Sequence, residues 1–101
     1  MKLENDLTKI SFIEQALVYG DNKPYLIALI ILSKDNKTLG KDKIFNEIEK
    51  INERLTKIEK IKKFFVINEQ FTIENGLMTP TLKLKRYKII QKYKNQFEKL
   101  Y

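Results

Sequence analysis

Hydrophobic positions along this 101-residue chain keep two different rhythms. Leu3 and Leu7 stand one helical turn apart, so residues 3–9 are predicted as a short helix. EQALVYG, ending at Gly20, reads as a strand; GDNKP follows as a turn cluster, and YLIALIIL reads as a second strand completing a hairpin. That second run is apolar on both faces, which predicts a central strand covered above and below. SKDNKTLG is a polar loop. From Lys41 to Ile61, the residues Ile44, Phe45, Ile48, Ile51, Leu55, Ile58 and Ile61 recur at spacings of three and four, the stripe of one amphipathic helix. KKFFVI is a third strand.

FTIENGLMT then places Asn75-Gly76 between two short β-like runs, a hairpin signal that Pro80 is expected to end. The last helix is predicted from about Leu84, with Ile89, Ile90, Tyr93, Phe97 and Leu100 on one face and lysines opposite. The fold class is therefore α+β: a small sheet with a β-hairpin, flanked by amphipathic helices, in a single domain over residues 1–101. The stripes, and with them the rings of Tyr19, Tyr25 and Tyr93, are assigned to core packing rather than chemistry.

Composition narrows the chemistry. A hydrophobic fraction of 43% and only five Gly plus Pro residues argue for an ordered chain. It is long enough to bury about two-thirds of its unfolded surface. Cysteine and histidine are both absent. That removes disulfides, thiolate zinc sites, thiol nucleophiles and the usual general base near neutral pH, and no metal site is expected. The glycines Gly20, Gly40 and Gly76 are isolated, so no phosphate-cradling loop is present. The acids of NEIEKINER fall on a solvent-facing side of their helix. On its own residues the domain is not a complete enzyme. No apolar run approaches the ~20 residues of a spanning helix, and the N-terminus does not read as a signal peptide. A cytoplasmic setting is expected, and the sequon Asn36-Lys37-Thr38 is a coincidence of sequence.

The net charge of +7 is uneven: residues 83–99 hold six Lys and Arg86 against Glu98 alone, or +6 of the total. This segment opens with MTPTLKLKR, in which Thr79, Pro80 and Thr81 lead into Lys83. Three readings follow. A lysine held out on a structured loop can stabilise charge growing on a phosphate or carboxylate oxygen, in an active site completed by another domain. Lys83, Lys85, Arg86, Lys88, Lys92 and Lys94, with Tyr87 and Tyr93 to stack on bases, can form a nucleic-acid patch. The last helix can also lie on an anionic membrane surface.

The segment FTIENGLMTPTLKLKRYKIIQKYKNQFEKLY resembles the C-terminal end of long-chain fatty-acid–CoA ligases, of the AMP-forming acyl-adenylating superfamily. Its Thr-Pro-Thr-x-Lys-x-Lys-Arg run occupies the place of that group's lysine-bearing loop, and LENDLTKISFIEQALVYGDNKPYLIALI resembles the segment beyond its interdomain hinge. The likeness covers nearly the whole chain, least over residues 33–60.

The resemblance implies a mobile lid domain that closes on a larger N-terminal domain binding ATP, Mg²⁺ and the fatty acid, then rotates for thioester formation with CoA. It implies that Lys83 is the adenylation lysine, supported by Thr79, Pro80, Thr81 and Gly76, with Lys85 and Arg86 as phosphate or CoA contacts. A fatty-acid substrate also implies proximity to membranes. Leu77-Met78 stand where the family often has an acidic residue and Leu. The family's hinge motif, phosphate-binding loop and acyl pocket have no counterpart here. The chain is accordingly expected to be a piece of a longer enzyme, inactive alone.

Overall fold

The computed structural model describes residues 2–20, 23–36, 39–56 and 59–101. Asp21 and Asn22 of the expected turn, Lys37 and Thr38 of the sequon, and Ile58 of the expected stripe lie outside the described residues. The chain divides into two compact units, Met1–Asn68 and Glu69–Tyr101.

In the first unit, helix α1 (Lys2–Thr8) leads into β1 (Ile13–Tyr19), which pairs antiparallel with β2 (Leu26–Leu32). Tyr19 faces Ile27, Leu17 faces Leu29 and Gln15 faces Ile31, with an irregularity between Ile13 and Gln15. The hairpin turns tightly at Gly20. A side chain there would collide with the Leu26 side chain and come within 3.1 Å of the Tyr25 carbonyl oxygen. After a 3₁₀ turn (Lys34–Asn36) and helix α2 (Lys41–Asn52), the chain returns as β3 (Ile61–Val66), parallel to β2, with Ala28 opposite Phe64 and Ile30 opposite Val66. A parallel neighbour needs a crossover, and α2 supplies it.

The sheet order β1-β2-β3 puts the apolar run in the centre, as its pattern requires. Val18, Ala28 and Ile30 pack with Leu7 of α1 and Ile44, Ile48 and Ile51 of α2. Ile27, Leu29 and Ile31, on the opposite face of β2, are also buried. Burial of each such side chain is worth about 1.5–3 kcal/mol. At the edge, the buried Glu4 carboxylate accepts the Val18 N–H at 2.7 Å, tying α1 to β1 with a charge-assisted bond.

Helix α2 is shorter than its apolar stripe predicts. It stops at Asn52, and Leu55 joins the core from a turn while Ile61 opens β3. The reason is the buried Asn52 amide. Its Nδ2 donates to the Ile61 carbonyl at 2.8 Å and its Oδ1 accepts the Ile61 N–H at 2.9 Å, so one side chain mimics a strand partner for the first residue of β3. Phe45 also departs from the expected core: it is 37% exposed and stacks on Phe64, centroids 6.4 Å apart.

In the second unit the predicted final helix is two short ones, α3 (Arg86–Lys92) and α4 (Lys94–Lys99), meeting at Tyr93. The start falls after Leu84 because Leu84 bridges to Met78 and the Lys85 N–H bonds the Leu77 carbonyl, committing both residues to a hairpin. Phe71, Leu77, Ile89 and Phe97 are buried, while Ile90, Tyr93 and Leu100 are half-buried.

Replacing Asn52 by Ala strands the N–H and C=O of Ile61 in a buried setting. The substitution is expected to cost about 2–4 kcal/mol, read as a lower urea midpoint at unchanged slope.

Candidate functional site

The Asn75-Gly76 signal and the proline turn are two consecutive devices, and they exchange roles relative to expectation. Around Asn75 the chain makes a turn without flanking strands. The Asn75 Oδ1 accepts the N–H groups of Thr72 (3.0 Å) and Leu77 (3.1 Å), while its Nδ2 donates to the Gln70 carbonyl at 2.7 Å. Thr72 reciprocates, its Oγ1 accepting the Asn75 N–H at 3.1 Å. Gly76 follows with φ 78°, the left-handed value that glycine adopts without steric cost.

Pro80 does not end a hairpin but forms the bend of one. Met78 and Leu84 bridge antiparallel, the Lys85 N–H donates to the Leu77 carbonyl at 2.9 Å, and the Thr79 N–H donates to the Lys83 carbonyl at 2.8 Å. Inside this frame the Leu82 N–H donates to the Thr79 carbonyl at 2.8 Å, closing a four-residue turn with Pro80 second, where its fixed φ suits the bend. Thr79 Oγ1 accepts the Lys83 N–H at 3.1 Å and lies 3.0 Å from the Thr81 hydroxyl oxygen. Leu82 completes the loop at φ 64°, where a γ-branched side chain costs about 1–2 kcal/mol.

The structure thus places Thr79, Pro80 and Thr81 within one hydrogen-bonded loop that ends on the exposed Lys83, with Gly76 in the preceding turn. Lys85 and Arg86, half-buried, sit at the start of α3, whose first turn carries no acidic residue. Cations at the positive end of a helix are electrostatically unfavourable, and the potential they build there suits an anion.

The six-cation patch is not uniform. Lys92 is paired with Glu69 at 2.5 Å, and the Tyr93 hydroxyl donates to the same Glu69 oxygen at 2.6 Å. Both residues are therefore engaged within their own unit. The Lys92 and Tyr93 bonds hold the Glu69 carboxyl below its usual range, and burial together with that carboxylate pushes the Tyr93 phenol well above its own. Ile89 and Phe97 are fully buried, and no described helix is long and apolar enough to cross a membrane.

Residues 1–101 match the family model of the AMP-binding enzyme C-terminal domain. The chain belongs to that family. It is 30% identical to the long-chain-fatty-acid–CoA ligase 5 of Mus musculus, over 99% of this chain and 18% of the mouse protein. It is 29% identical to the chloroplastic long-chain-fatty-acid–[acyl-carrier-protein] ligase AEE15 of Arabidopsis thaliana, over 100% of this chain and 15% of that protein. In three dimensions it matches the A-PCP didomain of the carboxylic acid reductase of Segniliparus rugosus, solved with AMP, at a TM-score of 0.87 and 28% identity, over 99% of this chain and 15% of that one. This C-terminal domain spans under a fifth of each of these relatives.

Sequence reasoning passed over Asn75 as a ligand of the chain, Leu82 as a left-handed residue and Glu69 as an anchor. The Thr72-to-Asn75 spacing was a usable signal for the first, since side chains three residues apart can exchange bonds with each other's backbone. Leu82 and Glu69 had none.

Glu69→Gln removes the charge that Lys92 pairs with. Because folding lowers the Glu69 pKa, its contribution is complete above the ordinary value of 4.5 and fades as pH falls through the lower folded value. The variant is expected to be less stable by about 0.5–1 kcal/mol at pH 7, a surface-pair magnitude. Denaturation across pH 2–7 is expected to show that gap closing in acid.

Proposed function

We propose that this domain is the mobile lid of a long-chain fatty-acid–CoA ligase, and that Lys83 serves the ATP-dependent adenylation of the fatty acid before thioester formation with CoA. One observation carries the reading: an exposed lysine stands at the end of a turn closed by backbone bonds on both sides and braced by the Thr79 hydroxyl. Such a side chain starts from a fixed point, so little ordering remains to be done when it meets the reacting groups.

The chemistry needs a cation there. A carboxylate must approach an anionic α-phosphate while pyrophosphate leaves, and both the approach and the transferring phosphoryl group concentrate negative charge. An ammonium placed beside the attacking carboxylate and the α-phosphate oxygens offsets the repulsion and stabilises the charge in transit. Lys85 and Arg86 are assigned to the phosphates of ATP or CoA, to which guanidinium and ammonium groups suit by charge. Mg²⁺ is assigned, with ATP, to the N-terminal domain.

ATP and the fatty acid are assigned to the N-terminal domain, in keeping with the small share of its relatives that this chain covers. A second acceptor is also supported, since one relative is named as an acyl-carrier-protein ligase. Thioester yield with CoA against carrier protein separates the two.

In the full-length enzyme, Lys83→Ala is expected to lower ATP–pyrophosphate exchange by at least about 10²–10³-fold. Thioester formation from supplied acyl-adenylate should stay near wild type. Normal exchange in Lys83→Ala, with loss in Lys85→Ala, would move the role to Lys85.

A further inference from the structure

We infer that Leu82 is the apolar contact by which the hairpin seats on the ATP- and acyl-binding domain of the same enzyme, setting the depth at which Lys83 works. The inference rests on the assignment of Lys83 above. Residue 82 is the only non-glycine residue at positive φ among the described residues. A leucine gains nothing locally from that conformation, which glycine or asparagine adopts at lower cost. It is also 69% exposed, whereas every other leucine of the described residues is buried or half-buried. A single exposed leucine is ordinary on a protein surface. A strained one at the end of a locked turn, next to the candidate catalytic group, is not.

The turn fixes the pair together. The Leu82 N–H is held by the Thr79 carbonyl, and the Lys83 N–H and carbonyl are both held by Thr79. Residues 82 and 83 therefore advance as one rigid piece, and a surface that buries Leu82 also determines how far the Lys83 ammonium reaches. The hairpin turn itself asks for a left-handed residue at position 82, but glycine or asparagine meets that need at lower cost, so it is the leucine side chain that the surroundings must reward. The occupant is the remainder of the enzyme. The curated relatives place this domain in under a fifth of their length, and the groups Lys83 must reach belong to the larger part. Seating of a preorganised apolar anchor beside a charged group is how a small contact contributes specificity without ordering cost.

The test uses the full-length enzyme and two substitutions. Leu82→Gly keeps the left-handed turn and deletes the side chain; Leu82→Met keeps apolar reach. Leu82→Gly is expected to slow ATP–pyrophosphate exchange about tenfold to a hundredfold, the worth of one buried leucine expressed as a rate. Thioester formation from supplied acyl-adenylate should be unchanged, the melting temperature unchanged or raised, and Leu82→Met should restore most of the exchange. Wild-type exchange in Leu82→Gly overturns the inference, as does an equal loss in both half-reactions. Loss of co-sedimentation with phosphatidylglycerol–phosphatidylcholine vesicles in Leu82→Gly, with exchange intact, also overturns it and gives the side chain to a lipid surface. Lys83→Ala measured alongside separates the two claims. If it abolishes exchange while Leu82→Gly does not, the contact alone falls; if it exchanges normally, the lysine assignment falls and takes the contact with it.

Discussion

Strand β2 has no solvent side, and the first unit is arranged around that fact. A seven-residue strand whose two faces are both buried has to be paired on both edges as well, since an unpaired backbone group in that setting costs about as much as a lost buried hydrogen bond. The antiparallel edge is met cheaply by β1 through a short turn at Gly20. The other edge takes β3 in parallel, so the chain must travel the length of the sheet before pairing, and α2 covers that distance while burying Ile44, Ile48 and Ile51. The outer edge of β1 is closed in turn by the Glu4 carboxylate on Val18. Each device answers a demand that the central strand creates.

The second unit is built on a different principle. It has little regular structure before α3, and its order comes from polar side chains: Asn75 and Thr79 bond the backbone of their own turns, and Glu69 holds the Lys92 and Tyr93 side chains at the junction of α3 and α4. The Asn75 and Thr79 contacts are local, whereas Glu69 reaches more than twenty residues along the chain. The first two shape a loop firmly without a large core. The relatives of this chain carry the small domain within a much longer protein.

What could be read in advance follows from the range of the forces involved. Periodicity identified α1, β1, β2 and β3, because the hydrophobic effect sorts residues face by face and leaves its rhythm in the order of the chain. It also placed Lys83 after a structured turn, since Pro80 restricts the backbone wherever it stands. The same rhythm misled at Leu55 and Ile61, whose spacing continues a helix that Asn52 has already ended. A buried amide that captures the backbone nine residues on leaves no periodic trace. Asn75-Gly76 misled in a similar way: the dipeptide does turn the chain, but the paired segments belong to the next turn, where Leu82 takes the left-handed position usually given to glycine.

The sequence by itself determined the fold class, the central place of the apolar strand, the concentration of cations in the last segment and the family likeness that singled out Lys83. These depend on composition, local backbone restriction and the burial of faces, all of which act over a few residues. Only the tertiary structure decided that β3 runs parallel to β2, that α2 stops at Asn52, that Lys92 and Tyr93 are drawn away to Glu69, and that Leu82 and Lys83 share one locked turn. Each of those outcomes joins groups separated along the chain, or selects one backbone conformation among several that the local residues allow. The choice is made by the hydrogen bonds that only the assembled fold can complete.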